Sequence, residues 1–88
     1  MVMYQIRFKK KAQKELLNLP KSIIKTVVTS IDNLSSNPRP KGSKKLRGSK
    51  ENLWRIRIGN YRVIYLIEDT VKVLVVRKIG HRKDIYKP

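Results

Sequence analysis

Four arginines in the second half of the chain, Arg55, Arg57, Arg62 and Arg77, carry the side chain best suited to holding a phosphate. A guanidinium presents planar donor pairs that match phosphate oxygens, and it keeps its proton in any protein environment. Arg55 and Arg57 alternate with apolar residues in the run LWRIRI, so on a strand they project from one face. Gly59-Asn60 reads as a two-residue turn, which sets Ile58 opposite Tyr61, Arg57 opposite Arg62 and Arg55 opposite Ile64. Trp54, Ile56, Ile58, Tyr61, Val63 and Tyr65 then take the other face, as core. A second two-residue turn at Asp69-Thr70 places Arg77 opposite Arg62, and the four guanidinium groups converge. Like charges directly opposed destabilise a sheet, so an anion is expected among them, and a phosphodiester fits the donor geometry. Everything here depends on register, because a one-residue change in either turn moves side chains to the other face. Without that convergence the same residues are a solvated basic surface.

Chemistry at such a phosphodiester would also need proton carriers, since an attacking hydroxyl loses a proton and the leaving oxygen gains one. His81 is the one histidine of the chain, with an ordinary pKa of about 6.5, and is expected to carry a proton near neutral pH. Its competing role is a turn residue bonding nearby backbone. Tyr86 is the second proton carrier expected, since surrounding cations favour its ionised form, and it can alternatively stack on a base or pack on the core.

Those residues sit in a chain of 88 residues with 22 Lys plus Arg against 6 Asp plus Glu, a formal charge of +16. A charge that large on a chain this short points to an anionic partner, nucleic acid first. No cysteine is present and one histidine cannot assemble a metal-ligand cluster, so neither disulfides nor a structural metal is expected, and no cofactor. Apolar stretches are too short to span a bilayer, and residues 1–11 lack the apolar centre of a secretory signal, so a cytoplasmic protein without membrane contact is expected.

The elements that must position the arginines can be read from periodicity. Tyr4, Ile6 and Phe8 alternate as in a strand. Ala12, Leu16 and Leu19 recur at helical spacing, and after Pro20, which suits the first turn of a new helix, Ile23, Ile24, Val27, Val28, Ile31 and Leu34 form a wide apolar stripe. The region 35–43, rich in Ser, Pro and Gly, is a loop, and Lys44, Lys45 and Arg47 continue it as charged residues. Two hairpins follow. The expectation is one α+β domain over residues 1–88: an N-terminal strand, a helical hairpin, and a three-stranded antiparallel meander completing a four-stranded sheet, with helices on one face.

The segments KKLRGSKENLWRIRIGNYRVIYLIED, at Lys44 to Asp69, and KIGHRKDIY, at Lys78 to Tyr86, are similar to motifs of the RelE/ParE toxin family, and the expected element order resembles that family along essentially the whole chain. The resemblance implies the toxin of a type II toxin-antitoxin pair. In the RelE-like branch this is a ribosome-dependent endoribonuclease cutting messenger RNA in the A site, by attack of the 2′-hydroxyl on the adjacent phosphate. A cognate acidic antitoxin, bound in a hetero-oligomer, neutralises it. It implies catalytic positions at Arg55, Arg57, Arg62, His81, Arg82 and Tyr86; Lys44, Lys45, Arg47, Arg77 and Lys83 are expected, as basic residues, to add RNA contacts. Some RelE-type enzymes have lysines where this chain has Arg55 and Arg57; arginine cannot act as a base, which leaves proton transfer to His81 and Tyr86. The alternatives are a ParE-like gyrase inhibitor without chemistry, and a module that only grips nucleic-acid backbone.

Overall fold

The computed structural model describes residues 3–85. Strand β1 (Gln5–Phe8) leads into helix α1 (Lys10–Leu17) and helix α2 (Lys21–Asn33), and four strands follow: β2 (Lys44–Lys45), β3 (Leu53–Ile58), β4 (Tyr61–Glu68) and β5 (Val73–His81). Pro20 is the residue before the first turn of α2, where its missing N–H costs nothing. The sheet order is β1-β5-β4-β3-β2. The meander from β2 to β5 is antiparallel, whereas β1 lies parallel to β5, the helical hairpin carrying the chain from β1 at one sheet edge across to β2 at the other.

Both helices cover one face of the sheet, α1 against β5 and α2 against β3. Ala12, Val27, Ile31 and Leu34 meet Ile56, Ile58, Val63, Tyr65, Leu74, Val76 and Ile79 in the core, as the alternation requires. Each large side chain fully buried there contributes roughly 1.5–3 kcal/mol, and Tyr65, Ile31, Leu34, Leu74 and Ile79 are all less than 2% exposed. Tyr65 and Trp54 are therefore packing residues, as expected. Among the described residues no helix lies on the second sheet face.

Three features differ from the sequence expectation. The sheet has a fifth strand, since Lys44 and Lys45 pair with Arg55 and Trp54 rather than remaining in a loop; two lysines offer no apolar alternation to announce it. The β4–β5 connection is not a two-residue turn: Glu68 pairs with Val73, leaving Asp69–Lys72 as a four-residue loop in which Lys72 takes φ 56°. Finally, β5 carries a bulge, because Ile64 faces Lys78 while Tyr65 faces Val76. Arg77 is the extra residue, and Gly80 rather than Arg77 faces Arg62. The Gly59-Asn60 turn is as expected, with Gly59 at φ 57°, a region open to glycine at little cost.

A brace fixes the loop after α2. The Tyr4 hydroxyl donates to Asp69 Oδ1 at 2.6 Å, and Arg39 Nη2 donates to Asp69 Oδ2 at 2.7 Å while its guanidinium lies 5.2 Å from the Trp54 ring centre. Tyr65 reaches the same loop, donating to the Pro38 carbonyl at 2.7 Å.

Candidate functional site

Register assembles the site on the open sheet face. One row across four strands reads Lys44, Arg55, Ile64, Lys78, and the next reads Arg57, Arg62, Gly80. Alternation from β3 outwards puts all seven on the face away from the helices. Arg55, Arg57 and Arg62 are thus brought together as their spacing predicts.

Their environments differ. Arg55 is 7% exposed, and its Nε is buried without a hydrogen-bond partner. Arg57 is exposed, and Arg62 is half-buried with Nη1 donating to the Gly59 and Tyr61 carbonyls, each at 2.9 Å. No carboxylate among the described residues pairs with any of the three: the two ion pairs are Arg39–Asp69 and Arg77–Glu51. Glu15 is committed elsewhere, accepting from the Ile79 N–H at 3.0 Å on the flank of β5 beyond β1. A buried, unpartnered guanidinium donor beside two further guanidinium groups is a costly arrangement that an oxyanion relieves.

The other expected residues divide. Arg77, at the bulge, does not meet Arg62; its Nη1 donates to Glu51 Oε2 at 2.9 Å. The assumed two-residue turn was two residues too short, and no sequence signal marked the bulge. Lys78 takes the place in the row that the sequence reading missed. Lys44 shares the open face, whereas Lys45, opposite Trp54, points to the helix side at the sheet edge. Arg47 is exposed in the segment between β2 and β3.

His81 requires a correction of place. It faces Tyr61, with ring centres 5.6 Å apart at 81°, and so lies on the face opposite Arg62. Its Nδ1 accepts the Lys83 N–H at 3.1 Å, and its carbonyl accepts from the Asp84 and Ile85 N–H groups at 2.8 and 3.0 Å. This is the turn-forming role. The Arg82 N–H donates to the Asn60 carbonyl at 2.8 Å, tying the turn to the β3–β4 hairpin; the side chains of Arg82 and Lys83 are exposed. The turn returns the chain so that Ile85, 5% exposed, packs beside Gly80 on the open face. Tyr86 lies outside the described residues.

Beside the arginines runs a groove of about 810 Å³, floored by Leu46, Leu53, Ile64 and Ile85 and rimmed by Lys78 and Arg77 and by Lys9, Lys10 and Lys11 at the start of α1. Three titrating groups are shifted, all in the brace: Arg39 is raised, chiefly by its hydrogen bond to Asp69. Arg39, and then Tyr4, by hydrogen bonding hold the Asp69 carboxyl down at about 2, and burial pushes the Tyr65 phenol up to about 12. Among the described residues no three His, Asp or Glu side chains gather as a metal site would require. What the open face can do chemically is bind a phosphodiester and stabilise negative charge developing on it.

The family described as the ParE toxin of the type II toxin-antitoxin system parDE matches residues 6–86. The chain is 36% identical over 87 residues to a protein named putative toxin RelE1 from Methanocaldococcus jannaschii, covering 96% of both. It is 35% identical over 85 residues to toxin RelG from Mycobacterium tuberculosis, covering 96% of this chain and 97% of that one. Two solved structures are similar at TM-score 0.82: the toxin-antitoxin complex RelBE2 of M. tuberculosis, at 34% identity over 96% of this chain and 97% of that one, and the archaeal RelE–RelB complex of Pyrococcus horikoshii OT3, at 31% over 94% and 99%.

Proposed function

The chain belongs to the RelE/ParE toxin family, and from that premise we propose that it is the toxin of a type II toxin-antitoxin pair, an endoribonuclease that cuts messenger RNA in the ribosomal A site. The observation that carries this reading is Arg55, buried on the open face with an unpartnered Nε and flanked by Arg57 and Arg62 without a counter-ion among the described residues. In the proposed reaction these three hold the scissile phosphate. The 2′-oxygen attacks phosphorus, the 5′-oxygen leaves, and the products are a 2′,3′-cyclic phosphate and a 5′-hydroxyl. Arginines retain their protons, so their part is to stabilise the charge gathering on the phosphate oxygens.

The proton-carrier role, taking the 2′-hydroxyl proton and returning it to the leaving 5′-oxygen, is assigned to Tyr86 rather than to His81, which register puts on the helix side of the sheet. Arg82, tethered to the hairpin through its backbone, adds a fourth cation, and Lys44 and Lys78 extend the track for the RNA backbone, with Arg47 and Lys83 as outlying contacts. The place of action is the cytoplasm, where ribosomes are, and no described helix is long and apolar enough to cross a membrane. The partner that restrains the toxin is a cognate antitoxin in a hetero-oligomer, and +16 on 88 residues calls for an acidic one.

Purified protein added to translating ribosomes, with 3′ ends of the message mapped, tests this: new ends inside A-site codons support it, and intact message at every concentration refutes it. The matched family is described as a ParE toxin, and the resemblance to ParE-like members implies a second reading, gyrase inhibition without chemistry. Trapped gyrase–DNA complexes with intact message would establish that one instead.

A further inference from the structure

A second cavity, of about 480 Å³, opens on the outer flank of β3 where β2 has already ended. Its walls are the C-terminal turn of α2, the loop through Asn37 and Gly42, and β3 from Arg55 to Arg57. Two of the three phosphate-clamping arginines therefore border it, and one of them is the buried Arg55 with its unpartnered Nε. Lys41 and Lys44 give its mouth a positive charge, while Leu34 and Ile56 make part of its wall apolar.

Its polar groups are of a particular kind. Asn33 and Asn37 both line it, and neither side-chain amide bonds to another described residue; only their main chains are engaged, Asn37 N–H donating to the Asn33 carbonyl at 3.2 Å. A side-chain amide offers a donor pair and an acceptor together, the complement of a nucleobase edge. The loop carrying Asn37 is also held firmly, by Tyr65 on Pro38 and by the Arg39–Asp69 ion pair, so the amides are presented from a braced wall.

We propose that this cavity receives an unpaired RNA base next to the phosphate held by Arg55 and Arg57, and that Asn33 and Asn37 read its edge and so set which nucleotide is preferred at one position of the cut site. Single-stranded RNA is recognised in this manner, with the base splayed from its neighbours and hydrogen-bonded along an edge while cations hold the backbone. The inference rests on the ribonuclease reading above. The cationic mouth would also suit an acidic protein strand along the free flank of β3, but the paired amides favour a base.

The test compares the wild type with the Asn33→Ala/Asn37→Ala double variant on programmed ribosomes in which each base of the A-site codon is varied in turn. Both substitutions are on exposed residues, and equal melting temperatures would confirm an intact fold. The wild type is expected to discriminate among bases at one position by about tenfold or more, the worth of a lost bidentate base contact, and the variant by less than about threefold, its rate on the fastest codon falling toward that of the others. Unchanged discrimination in the variant, or none in the wild type, would overturn the subsite and leave the nuclease reading standing. If the wild type cuts no message, the parent reading has failed, and binding of fluorescently labelled single-stranded homopolymers then decides: base preferences abolished in the double variant support the subsite, and identical preferences in both proteins, or none in either, overturn it. An antitoxin whose affinity falls in the double variant while base discrimination persists would assign the cavity to a protein strand.

Discussion

Replacing Arg55 with methionine is expected to make the protein more stable while disabling it. Arg55 is 7% exposed and its Nε has no hydrogen-bond partner, so the free protein carries the desolvation cost of an unsatisfied charged donor, about 1–3 kcal/mol. Lys44 opposite it and Arg57 two residues along add like-charge repulsion. Methionine keeps the unbranched stem that packs on the sheet and removes both penalties, as when buried ionic groups are replaced by apolar ones of similar shape. We expect a gain of about 1–2 kcal/mol in urea unfolding with an unchanged slope, and for a domain of this size a melting temperature higher by roughly 4–8 °C per kcal/mol. Single-turnover cleavage is expected to fall by about 10²–10³, the effect of removing one donor aimed at developing charge. A variant less stable by more than about 1 kcal/mol would show that Arg55 holds the fold together, and the anion-site assignment would lose its main support.

Other consequences can be checked in parallel. Because the Asp69 carboxyl is held at about 2, its bonds to Arg39 and Tyr4 contribute stability above the ordinary carboxylate range that is lost as pH falls toward 2; thermal melts should show this loss, and Asp69→Asn should remove that part of it. At the alkaline end Tyr65, pushed up to about 12, ionises first in the unfolded chain, so stability should decline from about pH 10 to 12, and a Tyr65→Phe variant should lose that dependence. Gly59→Ala should destabilise the hairpin by about 1–2 kcal/mol, since a side chain at φ 57° meets the left-handed penalty, and an unchanged denaturation midpoint would contradict the turn geometry. His81→Asn, which can still accept the Lys83 N–H, should keep single-turnover cleavage within about fivefold of wild type; a loss of about 10² or more would restore His81 as a proton carrier.

Much of this architecture is legible in the sequence because side-chain periodicity is a direct record of burial. Alternation in LWRIRI and the Gly59-Asn60 turn suffice to put Arg55, Arg57 and Arg62 on one face, and the apolar stripe from Ile23 to Leu34 identifies the helix that covers the other. What escaped notice depends on counting residues across a connection. Asp69-Thr70 looks like a tight turn, yet the loop runs on through Lys72, whose positive φ no glycine announces, and the bulge at Arg77 adds one more residue. Together these shifts exchange Arg77 for Gly80 opposite Arg62 and send His81 to the helix side. The parallel pairing of β1 with β5 and the brief pairing of Lys44 and Lys45 are likewise tertiary outcomes, without local composition to mark them. Arg55 is a different case: its position could be read, but not its burial, which is the property that makes it informative.

The central claim is that the open sheet face, rather than the overall positive charge, is the working surface. It is tested most directly by two variants that remove the same charge: Arg55→Ala/Arg57→Ala/Arg62→Ala on the open face, and Lys14→Ala/Lys21→Ala/Lys25→Ala on the exposed side of the helices. Single-turnover cleavage of ribosome-bound message is expected to fall by about 10³ or more in the first and by less than about tenfold in the second. Equal losses in the two proteins would contradict the account, because charge alone would then explain the activity.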